Sequence, residues 1–230
     1  MDFNNKILWA FELLGIEIHI TETIFNTWLI MAFLIILAII VRIMLFNWKL
    51  IPKGLQNAVE LAVESFESFV KNSAGEKLMY LGGWFFTIFA FILLSNISGI
   101  IGLRPPTADW ATTLAFSLAT SIIIQIIGIK NRKGKYIKSF FEPVFIFFPL
   151  NLIGELARPV SLSFRLFGNI LAGLILTSLV YSLLPVYLRL ILPVALHIYF
   201  DLFTGILQTY IFCVLSLTFI GSAADPTGEG

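Results

Sequence analysis

Ten charged, histidine or amide side chains interrupt two long apolar stretches in the C-terminal half of the chain. The first stretch, residues 139–180, carries Glu142, Asn151, Glu155, Arg158, Arg165 and Asn169. The second stretch, residues 186–221, carries Arg189, His197, Asp201 and Gln208. Ionisable groups at membrane depth cost from about 2.5 to over 10 kcal/mol, and they usually face a pathway or a partner charge. These residues are therefore the candidates for chemistry.

Helical spacing sorts these side chains into two polar stripes. Arg158 and Arg165 are seven residues apart and Asn169 follows four residues later, so a continuous helix places all three on one face. The second stripe consists of His197, Asp201, Thr204 and Gln208. The last three residues follow His197 by four, seven and eleven positions, which places all four on one face of a helix. Two polar stripes on two long apolar helices predict an aqueous or proton-conducting path.

Arg165 is the residue that most needs an explanation. A guanidinium stays protonated in proteins, so it cannot relay a proton; it can repel cations or attract a carboxylate. Those are the properties of an electrostatic barrier. The alternative is a static ion pair in which Glu155 or Asp201 neutralises Arg165. Elsewhere the structural interpretation is stronger, because Arg42 and Arg189 are expected to reach a membrane interface.

Composition places the chain in a membrane. Of its 230 residues 58% are hydrophobic and only 13% are charged, and the mean hydropathy is +0.93. A net charge of +1 gives no general attraction to nucleic acid. The single cysteine, Cys213, excludes an internal disulfide, and two separated histidines offer no metal-ligand spacing. We expect no metal and no cofactor, and the N-terminus lacks the pattern of a signal peptide.

Three apolar runs before residue 139 are long enough to cross a bilayer, for which about 20 residues suffice. The first covers residues 23–46, and two more form a hairpin over residues 78–129 around the turn RPPTAD. Between them, residues 55–71 repeat apolar side chains at helical spacing, which predicts a surface helix. Its polar face carries glutamates, which favour either a protein partner or a solvated acidic surface.

The two C-terminal stretches are too long for straight crossings. At 1.5 Å per residue, 42 and 36 residues would reach about 63 and 54 Å, against a hydrocarbon core of about 30 Å. They must bend back or lie steeply tilted, and prolines offer places to kink: Pro143, Pro149, Pro159 and Pro193. The predicted fold is an all-α polytopic membrane protein of one domain, residues 1–230, with about five crossings and two long channel helices within residues 139–221.

Charge distribution predicts the orientation. The loop KNRKGKYIK is strongly basic and contains no acid, so it is expected on the cytoplasmic side. The N-terminus and the connector from Arg104 to Asp109 have no basic excess and are expected outside.

The run RPVSLSFRLFGNILAG resembles the signature of subunit a, the stator channel in the membrane sector of F-type ATP synthases. ITETIFNTW, SNISGIIGLRPPTADWATTLA and GILQTYIFCVLSLTFIG resemble its bacterial and chloroplast members, so the resemblance covers nearly the whole chain. It implies that Arg165 is the family's essential arginine, Asn169 the asparagine one turn later and Gln208 the glutamine that neighbours the arginine. Asp201 falls where the family usually places a Glu or His of the outer access channel.

The resemblance implies an ion-translocating subunit with two half-channels for H+ or Na+ and no catalytic residue, because the ATP chemistry occurs on other subunits. Its implied partners are the ring of c subunits, the b subunits of the peripheral stalk, the remainder of the synthase and membrane lipid. The implied location is a bacterial cell membrane, with the chloroplast thylakoid as the alternative. Nucleic acid is not expected.

The predicted pathway has Arg165 as its gate. The other pathway residues are Asn151, Glu155, Arg158, Asn169, His197, Asp201 and Gln208. We expect His197, Asp201 and also Glu155 on the outer side. One departure from the family is Leu174, nine residues after the arginine, where several members have an acid or His. Glu155 would then carry more of the channel's ionisable burden.

Two other classes of protein stay open at this point. A secondary transporter would also place polar residues at mid-depth, but it would normally show inverted repeats, and none is visible in the sequence. A structural membrane anchor would not require Arg165, Asn169, Asp201 and Gln208 at mid-membrane.

Overall fold

The computed structural model describes residues 7–13, 16–46, 53–141 and 144–224. Five helical segments in this part of the chain are long and apolar enough to cross a membrane: Glu22–Met44, Glu76–Ile101, Trp110–Arg132, Phe145–Leu183 and Leu192–Ala224. They confirm the prediction of a helical polytopic membrane protein with about five crossings. Glu142 and Pro143, which the sequence singled out, lie outside the described residues.

A two-stranded antiparallel hairpin precedes the first helix, and the sequence interpretation did not predict it. Strand β1 covers Ile7–Leu13 and β2 covers Ile16–Thr21, with Leu13 opposite Ile16. The signal was the run IEIHIT, in which apolar and polar residues alternate with the period of a strand. Trp9 of β1 contacts Phe25 edge-on, with ring centroids 6.3 Å apart.

The first two helices are close to their predicted bounds. Helix α1 covers Glu22–Met44, and α2 covers Leu55–Ala74, where the prediction ended at residue 71. Helix α2 ends at Gly75, whose φ of 92° is a conformation that favours glycine. Phe66 of α2 packs against Phe86, with ring centroids 5.3 Å apart.

Two helices joined by a connector lie where the sequence predicts a hairpin. A 3₁₀ turn, Glu76–Leu81, leads into α3, Gly82–Ile97, and a second, Ser98–Ile101, extends it. After the connector, α4 covers Trp110–Arg132. Asp109 caps α4, because its Oδ1 accepts a hydrogen bond from the backbone N–H of Ala111 at 3.1 Å.

The last two predicted segments are helical almost throughout. A short helix α5, Gly134–Ser139, and a 3₁₀ turn, Phe145–Phe147, precede α6, Phe148–Leu183. Helix α7, Val186–His197, continues into a π-helical segment, Ile198–Thr204, and then α8, Gly205–Ala224. The first long helix therefore begins later than the predicted residue 139.

Helix α6 shows how the excess length is accommodated. It runs for 36 residues with Pro159 inside it, so the chain does not bend back between Phe148 and Leu183. At 1.5 Å per residue it is about 54 Å long, far more than the bilayer core. The re-entrant alternative is thus excluded for α6, and a strong tilt is the remaining way to fit it.

The described residues group into two compact units. Described residues within 1–39, 90–113 and 165–209 form the first unit, and those within 40–89, 114–164 and 210–230 form the second. In the first, buried Asn96 of α3 donates to Gly205 O at 3.1 Å and to Thr209 Oγ1 at 3.2 Å, and it accepts from Thr107 Oγ1 at 2.8 Å. These bonds join α3 to α8. The single-domain assignment stays a prediction.

The second unit has the larger aromatic and aliphatic core. Its fully buried side chains include Val70, Phe85, Ile124, Phe212, Leu217 and Ile220. Gly221 lets α8 approach the end of α2 closely, because a Cβ at this position would lie 3.2 Å from Ala74 Cα. The close approach holds the C-terminal turn of α8 against α2.

Candidate ion pathway

Arg165 lies on α6 with its side chain exposed on the surface of the chain. Within the described residues, no carboxylate forms an ion pair with it. The two carboxylates that could have neutralised it have other partners: Glu155 pairs with Arg158 and Asp201 with His197. The static ion pair is therefore not the arrangement in this structure.

Two amide donors in the first unit are buried and donate no hydrogen bond to any described residue. They are Nδ2 of Asn169, one turn after Arg165, and Nε2 of Gln208 on α8. A buried polar group left unsatisfied costs about 1–3 kcal/mol, so such groups call for an explanation. A water molecule or an acceptor atom of a partner subunit would satisfy them.

His197 and Asp201 form the ionisable pair of the first unit. His197 Nδ1 lies 2.6 Å from Asp201 Oδ2, and the Asp201 side chain is 13% exposed. Asp201 sits in the π-helical segment, whereas His197 is the last residue of α7. Wider helical turns of this kind are frequent at functional sites, because they change the direction of a side chain. The spacing of four residues seen in the sequence brings these two side chains into contact.

A second ionisable cluster lies in the second unit and is centred on Glu155. Its Oε1 lies 2.6 Å from Arg158 Nη1, and its Oε2 accepts a hydrogen bond from Gln125 Nε2 at 3.1 Å. The hydroxyl of Tyr136 donates to Gln125 Oε1 at 3.0 Å. The Arg158 guanidinium also lies over the ring of Phe219, 5.1 Å from its centroid.

This cluster lines a cavity of about 350 Å³. Asn151, Glu155 and Arg158 contribute from α6, Tyr136 from α5 and Phe219 from α8. Asn151 is anchored there by a hydrogen bond from its Nδ2 to Phe140 O at 2.9 Å. The structure thus brings three of the predicted site residues, Asn151, Glu155 and Arg158, to one cavity that is large enough for several water molecules.

The hydroxyl of Tyr136 has a raised pKa. Burial raises the pKa of Tyr136 above its ordinary value, and the negative charge of Glu155 raises it further. The phenol therefore stays protonated and keeps its role as a donor to Gln125. The sequence interpretation did not select Tyr136 or Gln125, although Gln125 is the one polar side chain in the run IIIQIIGI.

The predicted residues fall into three groups. Glu155, Arg158 and Asn151 come together in the second unit, and His197 and Asp201 come together in the first. Arg165, Asn169 and Gln208 are not joined by any hydrogen bond among the described residues. The side chain of Arg189 lies outside the described part of the chain. Among described residues, no group of three or more His, Cys, Asp or Glu could hold a metal ion.

Comparison with known proteins decides among the classes that the sequence left open. The model of the ATP synthase A chain family matches residues 24–221. The chain belongs to this family. Membership places it in the ATP synthase complex as a multi-pass membrane subunit, and it removes the secondary transporter and the structural anchor from consideration.

Relatives of this family are similar to the chain over most of its length. ATP synthase subunit a of Moorella thermoacetica is 36% identical over 89% of this chain and 91% of its own. The sodium ion specific subunit a of Propionigenium modestum is 35% identical over 90% and 75%. The chloroplastic subunit a of Stigeoclonium helveticum is 32% identical over 94% and 89%. The resemblance seen in the sequence is therefore confirmed.

Proposed function

We propose that the chain conducts ions through two half-channels that lead to the ring of c subunits, with Arg165 between them as the gate. The observation that carries this proposal is the presence of two separate ionisable clusters on the polar stripes of the last helices, while Arg165 has no carboxylate partner among the described residues. Peripheral-stalk b subunits and the ring are its proposed neighbours.

The outer half-channel contains His197 and Asp201. They belong to the same compact unit as the connector between α3 and α4, which the charge distribution places outside. A carboxylate beside an imidazole can accept and release a proton within a short distance. This supports an access role for the pair.

The inner half-channel contains Glu155, Arg158 and Asn151. Their cavity is lined by Arg132 at the end of α4 and by Tyr136, both in the basic loop region expected in the cytoplasm. The sequence interpretation placed Glu155 with Asp201 on the outer side. Its hydrogen bond with Gln125 and its ion pair with Arg158 favour the inner side instead.

Arg165 separates the two paths through its permanent charge. As a carboxylate of the ring approaches, the guanidinium favours the ionised carboxylate, so the bound cation leaves toward one half-channel. The same charge repels cations and prevents direct flow from one half-channel to the other. A membrane potential contributes about 2.3 kcal/mol per charge per 100 mV, which drives the steps in one direction.

Two cysteine variants test the assignment of the half-channels in a background with Cys213→Ser. Gly154→Cys lies in the inner cavity, where an added Cβ meets no atom within 4 Å, and Thr204→Cys lies one turn after the His197–Asp201 pair. An impermeant thiol reagent should label Gly154→Cys from the cytoplasmic side only and Thr204→Cys from the outside only. Labelling of both from the same side would contradict the proposal.

A further inference from the structure

Gly99 stands beside the carboxylate of Asp201 and leaves the space that this carboxylate fills. A Cβ built on Gly99 would lie 2.7 Å from Asp201 Oδ2, 3.0 Å from Cγ and 3.3 Å from Oδ1. Contacts under 3 Å are too short for a real Cβ, so an alanine here would force some group to move. The carboxylate and a side chain at position 99 thus compete for the same volume.

The backbone conformation at position 99 does not require a glycine. Gly99 lies in the 3₁₀ extension of α3, Ser98–Ile101, and its φ is not positive, whereas Gly102, three residues later, has a φ of 80°. Any residue could adopt the conformation of Gly99, so the absence of a side chain serves space rather than backbone geometry. The three heavy atoms nearest to this space all belong to the Asp201 side chain.

The surrounding helices cannot easily separate to admit a side chain at position 99. Three residues earlier, Asn96 is buried and bonds to Gly205 O and Thr209 Oγ1, and a Cβ at Gly205 would lie 3.0 Å from Asn96 Cβ. Two glycine contacts, one from each helix, therefore hold the end of α3 against the helix that carries Asp201. A new side chain at position 99 would displace the carboxylate rather than the helices.

We propose that Gly99 is a positioning residue for ion transfer: its missing side chain holds open the space in which Asp201 meets His197. The inference rests on the proposed role of Asp201 in the outer half-channel and adds a determinant on α3. The carboxylate oxygen nearest to the built Cβ, Oδ2, is also the one that lies 2.6 Å from His197 Nδ1. Moving the carboxylate away from Gly99 would change this contact directly.

Gly99→Ala in the complete synthase tests the inference. The enzyme, reconstituted in vesicles, should make ATP at a rate lowered about tenfold or more under an imposed ion gradient, because misplacement of a reacting group by about 1 Å can cost up to a hundredfold. Gly83→Ala is the matched control on the same span, since a Cβ there meets no atom within 4 Å. Normal synthesis by Gly99→Ala would overturn the inference.

Combined variants separate positioning from general damage. Once Asp201→Ala has removed the carboxylate, adding Gly99→Ala should change neither the synthesis rate nor the retention of the c ring. If Gly99→Ala alone fails to assemble, the double variant should assemble, because the group it collides with is gone. A further loss in the double variant would contradict the inference.

An exchange of the two side chains provides a gain of function. Gly99→Asp with Asp201→Ala puts a carboxylate into the same space from α3, so it should synthesise ATP faster than Asp201→Ala alone. A rate equal to or below that of Asp201→Ala would contradict the inference that the side chains at positions 99 and 201 share one space. If Asp201→Ala synthesises ATP at the parental rate, the proposed role of Asp201 fails. If Gly99→Ala synthesises ATP at the parental rate and Asp201→Ala does not, the role of Asp201 stands and only the inference about Gly99 fails.

Discussion

Glu155 and Arg158 form an ion pair of 2.6 Å on one face of α6, and Arg165, two turns later, has no such partner among the described residues. The charge of Arg158 is therefore neutralised within α6, whereas the charge of Arg165 is not. A compensated arginine fixes the geometry of a cavity wall, whereas an uncompensated one is available to a carboxylate from another subunit.

Removing the charge of Glu155 should impair the inner half-channel. We expect Glu155→Gln to slow ATP synthesis about tenfold, because a neutral amide cannot exchange a proton and leaves Arg158 without its partner. The rate of ATP synthesis in vesicles measures this effect. Glu64→Gln on the exposed face of α2 is the matched control. A parental rate in Glu155→Gln would remove Glu155 from the pathway.

Tyr136 should act through its hydrogen bond and not by titrating. Because burial and the charge of Glu155 raise the pKa of Tyr136, the protonated form persists throughout the neutral range. Tyr136→Phe should lose about 1 kcal/mol of stabilisation from the bond to Gln125 and leave the shape of the pH profile between pH 6 and 9 unchanged. A new or lost inflection in that profile would show that the phenol titrates.

Gly128 should tolerate no side chain, since Tyr136 fills the space above it. A Cβ at Gly128 would lie 2.5 Å from Tyr136 Cε2 and 2.6 Å from Cζ. Gly128→Ala should therefore lower the stability of the subunit by about 1–3 kcal/mol and displace the ring from Gln125. Thermal retention of the subunit in the complex measures this. Gly154→Ala is the control, and equal stability of the two variants would contradict the packing.

Substitution of Asp201 should slow ion uptake without opening a leak. Asp201→Leu removes the carboxylate that meets His197, while the charge of Arg165 still blocks direct flow. We expect both ATP synthesis and ATP-driven pumping to fall about tenfold or more, with unchanged passive ion permeability of the vesicles. Parental rates of synthesis and pumping in this variant would exclude Asp201 from the pathway.

The contact between His197 and Asp201 was accessible from the sequence because it depends on local geometry. Four residues on a helix bring His197 and Asp201 together whatever the rest of the fold does, and a span needs only about 20 apolar residues to be recognised. Continuity of α6 through Pro159 required the structure, since a proline inside a helix can also end it.

The groups around each stripe were not accessible, because they come from distant parts of the chain. Gln125 reaches Glu155 from α4, and Tyr136 reaches Gln125 from α5. Gly99 meets Asp201 across about a hundred residues of sequence. Spacing within one helix carries no information about which other helix packs against it. Neither Gln125 nor Gly99 has a residue type that points to chemistry by itself.

The orientation of the chain is a separate prediction that rests on its basic loop. A cysteine placed at Gly134, which begins α5 next to the basic residues, should react with an impermeant reagent only from the cytoplasmic side. Cys213→Ser provides the background. Reaction from the outside only would invert the proposed inner and outer half-channels.

The most direct test of the gate is ATP synthesis by Arg165→Ala in vesicles that contain the assembled complex, with retention of the c ring as the check on assembly. We expect coupled synthesis to be abolished and passive ion leak to rise, because no fixed charge separates the half-channels. Arg165→Lys should also fail, since a compact ammonium lacks the planar fork of the guanidinium. Near-parental synthesis by Arg165→Ala would contradict the gate and assign the arginine a structural role.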